Sequence, residues 1–211
     1  MRKRRSPGVK KGQGNKVGAG RLVLASASPR RAALLAEAGY TFDVVISPVE
    51  EPARRPGSIP LERWPTALAY IKARSVQLQI GGAATIIGAD TIVVLDGAIL
   101  GKPRDRAHAR RMLQRLSGTE HQVITGLAIL RGTQCRLSRA VSTCRIRRLS
   151  PAFLRQYLDS GLWKGKAGAY GIQDHDDPWV SLVDGEWSNV VGLPMKLLAR
   201  EMEQSALAAG D

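Results

Sequence analysis

The 211-residue sequence has few cysteines, few aromatic side chains and no apolar run long enough to cross a bilayer. Its two cysteines, Cys135 and Cys144, have neither the spacing of a metal site nor the number that a disulfide framework needs. This cysteine usage fits a reducing compartment, and we expect the cytoplasm. No run reaches the roughly 18 apolar residues of a membrane span, and no apolar stretch follows the basic N-terminus as in a secretory signal. We therefore expect no contact with a membrane.

Acidic residues are also scarce, since 18 carboxylates face 32 lysines and arginines for a formal net charge of +14. Half of this excess lies in residues 1–20, which hold seven positive charges and no carboxylate. Because that segment is rich in glycine and poor in apolar side chains, we expect a disordered basic tail. The tail is either a weak binder of polyanions or an extension without a partner. We expect no specific binding of nucleic acid.

The remainder is long enough for one domain with a full core, and we place that domain at 21–204 with a short C-terminal tail at 205–211. Apolar runs bounded by turn residues predict strands, and amphipathic spacing behind capping residues predicts helices. The first predicted strand begins at Leu22, and the others span 42–46, 85–95, 98–100, 121–130, 135–146 and 179–183. The predicted helices begin near 29, 65, 106, 151 and 195, and 52–65 is predicted to be a mobile loop.

The first strand leads into Ser28-Pro29-Arg30-Arg31, where a serine at the N-cap and a proline at the first helical position open a helix. The unpaired N–H groups of a first turn, together with two guanidinium groups, suit phosphate oxygens. The same residues also fit ordinary capping with solvated arginines, and spacing alone leaves both interpretations open. Two cations at the positive end of the helix dipole cost roughly a few tenths of a kcal/mol each, which favours an anion there.

Asp90 lies in the middle of the strongest predicted strand, Thr85–Leu95. A carboxylate in a buried strand is costly unless it binds a metal, pairs with a cation or takes part in chemistry. We therefore predict a functional role for Asp90. Gly88, two residues earlier, suits a close approach of another backbone. His121 has no nucleophile signature to partner it, so we predict a structural role for it.

Four further charged positions have both a functional and an ordinary interpretation. Glu50, beside Glu51 at the end of the second strand, suits a divalent cation but equally suits the surface. Lys72 lies within a predicted helix, where lysines are normally solvated. Lys102 lies at the mouth of a loop, and Lys166 lies in a glycine-rich run that lacks the Walker A pattern. Both lysines can reach a phosphate.

Eight motifs, taken together and in order, resemble the Maf family of nucleoside triphosphate pyrophosphatases. They are Ser26–Arg31, Val49–Glu51, Lys72-Ala73, Gly88–Thr91, Gly101–Pro103, Thr125-Gly126, Lys166–Gln173 and Asn189–Pro194. The resemblance runs from about Arg21 to Arg200. It implies an α/β fold similar to the inosine triphosphate pyrophosphatases, with an elongated central mixed β-sheet flanked by helices and a cleft between two lobes. It also implies a homodimer.

The resemblance assigns roles residue by residue. Asp90 matches the general base, and Lys72 and Glu50 match further catalytic positions. Glu50 and Asp90 are the implied ligands of a divalent cation, Mg²⁺ or alternatively Mn²⁺. The implied substrate-binding residues are Ser26, Ser28, Arg30, Arg31, Thr91, Lys102, Lys166 and Gln173. The implied reaction is attack of water on the α-phosphorus, which releases pyrophosphate and a nucleoside monophosphate.

Arg30, Thr91 and Gln173 match three positions that are tied to base selection. Arginine, threonine and glutamine there imply dTTP, UTP and modified pyrimidine triphosphates as substrates. The branch that acts on 7-methyl-GTP typically has tryptophan and glutamate at the first and third of these positions. Alternative functions are pyrophosphatase activity on 7-methyl-GTP or another non-standard nucleotide, or nucleotide or nucleic-acid binding without catalysis. The sequence departs from the family at Asp174–Trp179, where acidic residues replace small, apolar ones.

Overall fold

The computed structural model describes residues 20–50, 52, 55–81, 84–174 and 179–207. Nearly all of the predicted basic tail and most of the C-terminal tail lie outside the described residues. Glu51 and the acidic stretch 175–178 also lie outside them. None of the helices in the described ranges is long and apolar enough to cross a membrane.

A mixed sheet of seven strands forms the centre of the described structure. The strands are β1 (Leu22–Leu24), β2 (Asp43–Val44), β3 (Thr85–Leu95), β4 (Ala98–Leu100), β5 (Glu120–Arg131), β6 (Gln134–Ile146) and β7 (Val180–Asp184). Their order is β2-β1-β3-β5-β6-β7, and β4 forms a hairpin with β3. β1 is parallel to β2 and β3, whereas β5, β6 and β7 follow in antiparallel pairs. The predicted α/β fold with a mixed sheet is confirmed.

The helices surround this sheet. They are α1 (Pro29–Glu37), α2 (Trp64–Ile80), α3 (Arg106–Leu116), α4 (Pro151–Ser160), α5 (Trp187–Val191) and α6 (Met195–Leu207), with single 3-10 turns at Leu61–Arg63 and Ala167–Ala169. The caps predicted for α3 and α4 are confirmed, because Asp105 and Ser150 accept hydrogen bonds from the N–H groups of His108 and Phe153.

Alternation along the strands divides the apolar core between the two faces of the sheet. Helix α2 covers one face, where Ile86 of β3 packs with Ala73 and Val76. Helices α1 and α6 cover the other face around Ile87 and Leu198. Farther along the chain, α3, α4 and the β6–β7 end of the sheet enclose a separate cluster that is rich in aromatic side chains.

Two glycines allow α2 to lie unusually close to the sheet. A Cβ atom at Gly88 of β3 would come within 2.2 Å of the Ala69 carbonyl oxygen, and one at Gly126 of β5 within 2.2 Å of the Thr66 nitrogen. Neither backbone atom can yield as a flexible side chain would. The close backbone approach predicted at Gly88 is therefore confirmed, and it sets the position of α2 over β3.

Some element predictions were wrong. The second strand is predicted at 42–46 but spans only Asp43–Val44, because it is an exposed edge strand with a single neighbour, β1. The loop predicted to extend to Pro65 already ends at the 3-10 turn Leu61–Arg63, and α2 begins at Trp64. Helix α5 and the turn at Ala167–Ala169 were not predicted, since one turn of helix shows no periodic pattern in a sequence.

Candidate active site

A cleft of about 1080 Å³ opens between the β1–α1 connection and the segment 164–173. Ten of the predicted site residues line it: Ser26, Ser28, Arg30, Arg31, Lys72, Asp90, Thr91, Lys102, Lys166 and Gln173. Glu50 is exposed and lies outside this lining, although its neighbour Val49 belongs to it. The structure thus brings together residues that are up to 147 positions apart, from Ser26 to Gln173.

Asp90 and Lys72, which both line the cleft, form a buried ion pair. The Lys72 Nζ lies 2.5 Å from the Asp90 Oδ1, and the two side chains are only 13% and 8% exposed. The contact joins α2 to β3 close to the point where Gly88 admits the backbone of α2 at Ala69 and Ala73. Lys72 is therefore not one of the solvated lysines that are usual on a helix, because its ammonium is paired with Asp90.

Neighbouring side chains of β3 point to opposite faces of the sheet, so Thr91 faces away from Lys72. Its hydroxyl accepts a hydrogen bond from Arg31 Nη2 at 3.1 Å. Arg31 also donates from Nη1 to the Ser26 hydroxyl at 3.1 Å and from Nε to the Gly192 carbonyl oxygen at 2.7 Å. The guanidinium therefore ties α1 to the β1–α1 connection, to β3 and to the residue that follows α5, a role that the sequence did not predict.

The start of α1 has the predicted serine and proline, but the capping differs from the usual pattern. Ser28 occupies the N-cap position without a hydrogen bond from its hydroxyl to the helix. Instead, the Ser28 N–H donates to the Ser26 hydroxyl at 3.2 Å. The first turn of α1 presents its unpaired N–H groups beside the cleft, and this arrangement suits phosphate oxygens.

A buried hydrogen-bond chain supports Thr91 from behind. Its hydroxyl lies 2.9 Å from the hydroxyl of Thr125 on β5, which donates to the Asn189 carbonyl oxygen at 3.0 Å. The Asn189 amide donates in turn to Val123 O and Ser142 Oγ. Sequence reasoning noted Thr125 and Asn189 only as family motifs. Their signal was a polar side chain inside an apolar stretch, the same signal that marked Asp90.

Lys166 is fixed by two residues that were not among the predicted site residues. Its Nζ is ion-paired with Oδ1 of Asp174, and the Tyr157 hydroxyl donates to Oδ2 of Asp174 at 2.8 Å. Burial lowers the pKa of Lys166, whereas Asp174 raises it and the guanidinium of Arg30 lowers it. Burial, reinforced by the charge of Asp174, raises the pKa of Tyr157 well above its usual range, so its hydroxyl stays a donor.

His121 has the predicted structural role. Its ring is buried, and its Nε2 lies 2.5 Å from the hydroxyl of Tyr170. Burial lowers the pKa of His121 to about 4, so the imidazole is neutral at physiological pH. The ring does not line the cleft, which separates it from the chemistry there.

The cleft is rich in positive charge. Arg30, Arg31, Lys72, Lys102 and Lys166 line it, whereas Asp90 is the one carboxylate among its described lining residues. Guanidinium and ammonium groups in such a cleft bind phosphate oxygens by charge-assisted hydrogen bonds. A buried carboxylate among several cations can act as a proton acceptor beside a bound polyphosphate.

The donor set for a divalent cation is small. Among the residues that the structure describes, no three His, Cys, Asp or Glu side chains meet in a group. Mg²⁺, however, is typically held by one or two protein carboxylates together with substrate phosphates and water. Asp90 lines the cleft and can supply one such carboxylate, whereas Glu50 lies outside the lining beside Val49.

This chain is similar in sequence to known proteins of one family. The family model described as Maf-like protein matches residues 21–205. A dTTP/UTP pyrophosphatase of Symbiobacterium thermophilum is 43% identical over 183 residues, which cover 87% of this chain and 93% of that relative. The dTTP/UTP pyrophosphatase of Geobacter sulfurreducens is 46% identical, and the match covers 83% of this chain and 92% of that relative. The dTTP/UTP pyrophosphatase of Pyrococcus abyssi is 41% identical, and the match covers 84% of this chain and 92% of that relative.

A solved structure of a nucleoside-triphosphatase, described as a dITP/XTP pyrophosphatase, from Mycobacterium abscessus also matches. It is 16% identical with a TM-score of 0.41, and the match covers 90% of this chain and 94% of that chain.

Proposed function

This chain belongs to the family of Maf-like proteins, and on that premise we propose that it hydrolyses dTTP and UTP to the nucleoside monophosphate and pyrophosphate. It is a nucleoside triphosphate pyrophosphatase, a hydrolase that acts on an acid anhydride. The observation that carries the assignment is the buried Lys72–Asp90 pair in a cleft lined by cations. Modified pyrimidine triphosphates are the further substrates that we expect.

Asp90 acts as the general base in this proposal. The Lys72 ammonium holds its carboxylate in a fixed orientation from one side, and little of either side chain reaches solvent. An ionised carboxylate in that position accepts a proton from the water that attacks the α-phosphorus, a contribution that is typically worth about 10²- to 10⁴-fold in rate. The P–O bond to the β-phosphate breaks as the new bond forms, and pyrophosphate leaves.

The cationic side chains bind the phosphates and stabilise the charge that develops on the leaving group. Lys102 and Lys166 line the cleft together with Arg30, which lies in the first turn of α1. Preorganised cations of this kind cost no reorganisation when the charge develops. Ser26 and Ser28 contribute the hydroxyl and N–H groups beside the same helix end.

We assign the implied cofactor to Asp90 and Glu50, with Mg²⁺ as the expected ion and Mn²⁺ as the alternative. A divalent cation bound there polarises the phosphoryl oxygens and offsets their negative charge. Glu50 is exposed in the loop beside the cleft, so its carboxylate has access to a phosphate-bound ion. Asp90 remains the proton acceptor in this assignment.

Base choice is assigned to Gln173, supported by Arg30 and Thr91. Gln173 is exposed in the cleft, and its amide offers both a donor and an acceptor. Uracil and thymine present a carbonyl acceptor beside an N–H donor on one edge, which is the complement of such an amide. Thr91 contributes by holding Arg31 in place, since its hydroxyl is hydrogen-bonded to Arg31 and Thr125.

We also propose a cytoplasmic homodimer. Cys135 and Cys144 are free thiols, which suits a reducing compartment. Leu137 and Val141, two exposed apolar side chains on the same face of β6, offer a surface that a second copy would cover. Sedimentation of the full chain tests the assembly, and a monomer at micromolar concentration contradicts it.

The substrate assignment is tested by pyrophosphate release in the presence of Mg²⁺. The panel comprises dTTP, UTP, CTP, ATP, GTP, ITP and 7-methyl-GTP. We expect the highest kcat/KM with dTTP and UTP. Preference for a purine nucleotide contradicts the roles of Arg30, Thr91 and Gln173, and nucleotide binding without any release contradicts the enzymatic function.

A further inference from the structure

Asp174 and Tyr157 form a connected chain of contacts behind Lys166. The ammonium of Lys166 is paired with one carboxylate oxygen of Asp174, and the hydroxyl of Tyr157 donates to the other. The Lys166 and Asp174 side chains are only 10% and 4% exposed, and Tyr157 is 1% exposed. This ion pair is therefore shielded from solvent, unlike a surface salt bridge that contributes little.

Only one end of this chain of contacts lines the cleft. Lys166, Gly171 and Gln173 line the cleft, whereas Asp174 and Tyr157 are not among its described lining residues. The Asp174 N–H donates to the Gly171 carbonyl oxygen at 3.2 Å and closes the turn from Gly171 to Asp174. A Cβ atom at Gly171 would lie 2.6 Å from Asp174 Oδ1, so glycine leaves the space that the carboxylate fills.

Lys166 needs a partner in this position. Desolvation lowers its pKa, and the guanidinium of Arg30 at the start of α1 acts in the same direction. Asp174 acts in the opposite direction, and Tyr157 of α4 faces Asp174 as a neutral donor. Without the carboxylate, a buried ammonium under the influence of a guanidinium charge tends to lose its proton and, with it, its attraction for phosphate.

We propose that Asp174, held by Tyr157, is a positioning residue that keeps Lys166 charged and aimed at the triphosphate. An ammonium carries three N–H donors, so the bond to Asp174 leaves donors for phosphate oxygens. The inference rests on the proposed function, because it requires Lys166 to contact the substrate phosphates. It adds a residue of this chain, at a position where the sequence departs from its family, to the machinery of the reaction.

The first test measures the ionisation of Lys166 directly and without substrate. Full-length protein labelled with ¹³C at lysine Cε is titrated by NMR, and the Lys166 signal is assigned by its loss in Lys166→Arg. We expect Lys166 to lose its proton at lower pH in Asp174→Asn than in the wild-type protein. The matched control is Asp159→Asn, which removes an exposed carboxylate paired with Arg106 and leaves the Lys166 titration unchanged. An unchanged titration in Asp174→Asn overturns the proposal.

The second test follows kcat/KM for dTTP against pH. In Asp174→Asn the alkaline limb of the profile moves to lower pH, with a loss of about tenfold at a pH where the wild-type protein is fully active. In a Lys166→Arg background Asp174→Asn no longer moves this limb, because a guanidinium stays charged without a partner. A shift of the same size in the arginine background overturns the proposal.

The two tests separate the possible failures. If the wild-type protein releases no pyrophosphate, the proposed function fails, whereas the NMR titration still decides whether Asp174 controls the charge of Lys166. If Asp174→Asn does not fold, Asp174→Ala replaces it, since alanine leaves no unpartnered amide in the buried turn. Both measurements have the same expected results and the same contradicting results in that variant.

Discussion

Asp90 of β3 lies directly opposite Gly126 of β5, and the missing side chain of Gly126 makes room for the backbone of α2 at Thr66. Lys72 lies six residues farther along α2, about 9 Å along the helix axis. Together with Gly88, which admits Ala69 and Ala73 on either side of Lys72, this glycine lets α2 lie close enough to the sheet for the 2.5 Å contact between Lys72 and Asp90.

Replacing Gly126 by alanine tests that relationship. The new methyl group would lie 2.2 Å from Thr66 N, so α2 must move away from the sheet. We expect a loss of about 3 kcal/mol in the free energy of unfolding, the upper part of the range for overpacked sites, and a large loss of activity. Urea unfolding measures the first effect. Gly57→Ala is the control, because nothing lies within 4 Å of its Cβ position, and equal stability of the two variants would contradict the account.

Asp90→Asn removes the proposed base with almost no change in shape. We expect kcat for dTTP to fall about 10³-fold while the circular dichroism spectrum is retained. Asp159→Asn makes the same chemical change at an exposed ion pair with Arg106 and should leave kcat unchanged. Full activity of the Asp90 variant would remove this residue from the mechanism.

Lys72→Met leaves the Asp90 carboxylate buried without this ammonium. Breaking one side of a buried ion pair costs about 3 kcal/mol, so we expect a destabilisation of that order in chemical unfolding. Combining it with Asp90→Asn removes the buried charge, and the double variant should be more stable than Lys72→Met alone. Simple additivity of the two single changes would show that the pair does not interact energetically.

The buried imidazole of His121 predicts a pH dependence of stability. Its pKa is about 4 in the folded protein against 6.5 for an ordinary histidine. Between pH 6.5 and 4, therefore, this histidine is protonated in the unfolded chain but neutral in the folded protein. The free energy of unfolding should therefore be fully retained above pH 6.5 and fall by about 3 kcal/mol as the pH falls towards 4.

Urea unfolding at several pH values measures this loss. His121→Gln should show a smaller loss between pH 7 and 4 than the wild-type protein, because its side chain does not titrate. His108→Gln changes a histidine whose ring is only half-buried, at the start of α3, and should keep the full dependence on pH. Identical pH dependence in the wild-type protein and His121→Gln would contradict the assignment.

The sequence predicted features that depend on local pattern. The bounds of β3 and its hairpin to β4 are confirmed, and Asp90 could be singled out because a carboxylate interrupts an apolar run. The long-range contacts were beyond such reasoning. Arg31 joins Ser26, Thr91 and Gly192, which lie 5, 60 and 161 positions away, and no local pattern encodes these distances.

The two residues that hold Lys166 in place could not be predicted from the sequence, for a different reason. Its partner Asp174 follows a turn whose geometry depends on the glycine at 171, and Tyr157 comes from the separate helix α4. The sequence marked Asp174 as a departure from the family but gave no sign of the cation that it faces. The roles of Glu50 in metal binding and of Gln173 in base selection stay predictions.

Hydrolysis of dTTP in ¹⁸O-labelled water tests the central claim most directly, since the position of the label identifies the phosphorus that water attacks. We predict that the full-length protein with Mg²⁺ places the label in dTMP and releases unlabelled pyrophosphate. Label in the pyrophosphate would mean attack on the β-phosphorus, and formation of dTDP with inorganic phosphate would mean cleavage between the β- and γ-phosphates. Either result would contradict the proposed pyrophosphatase mechanism.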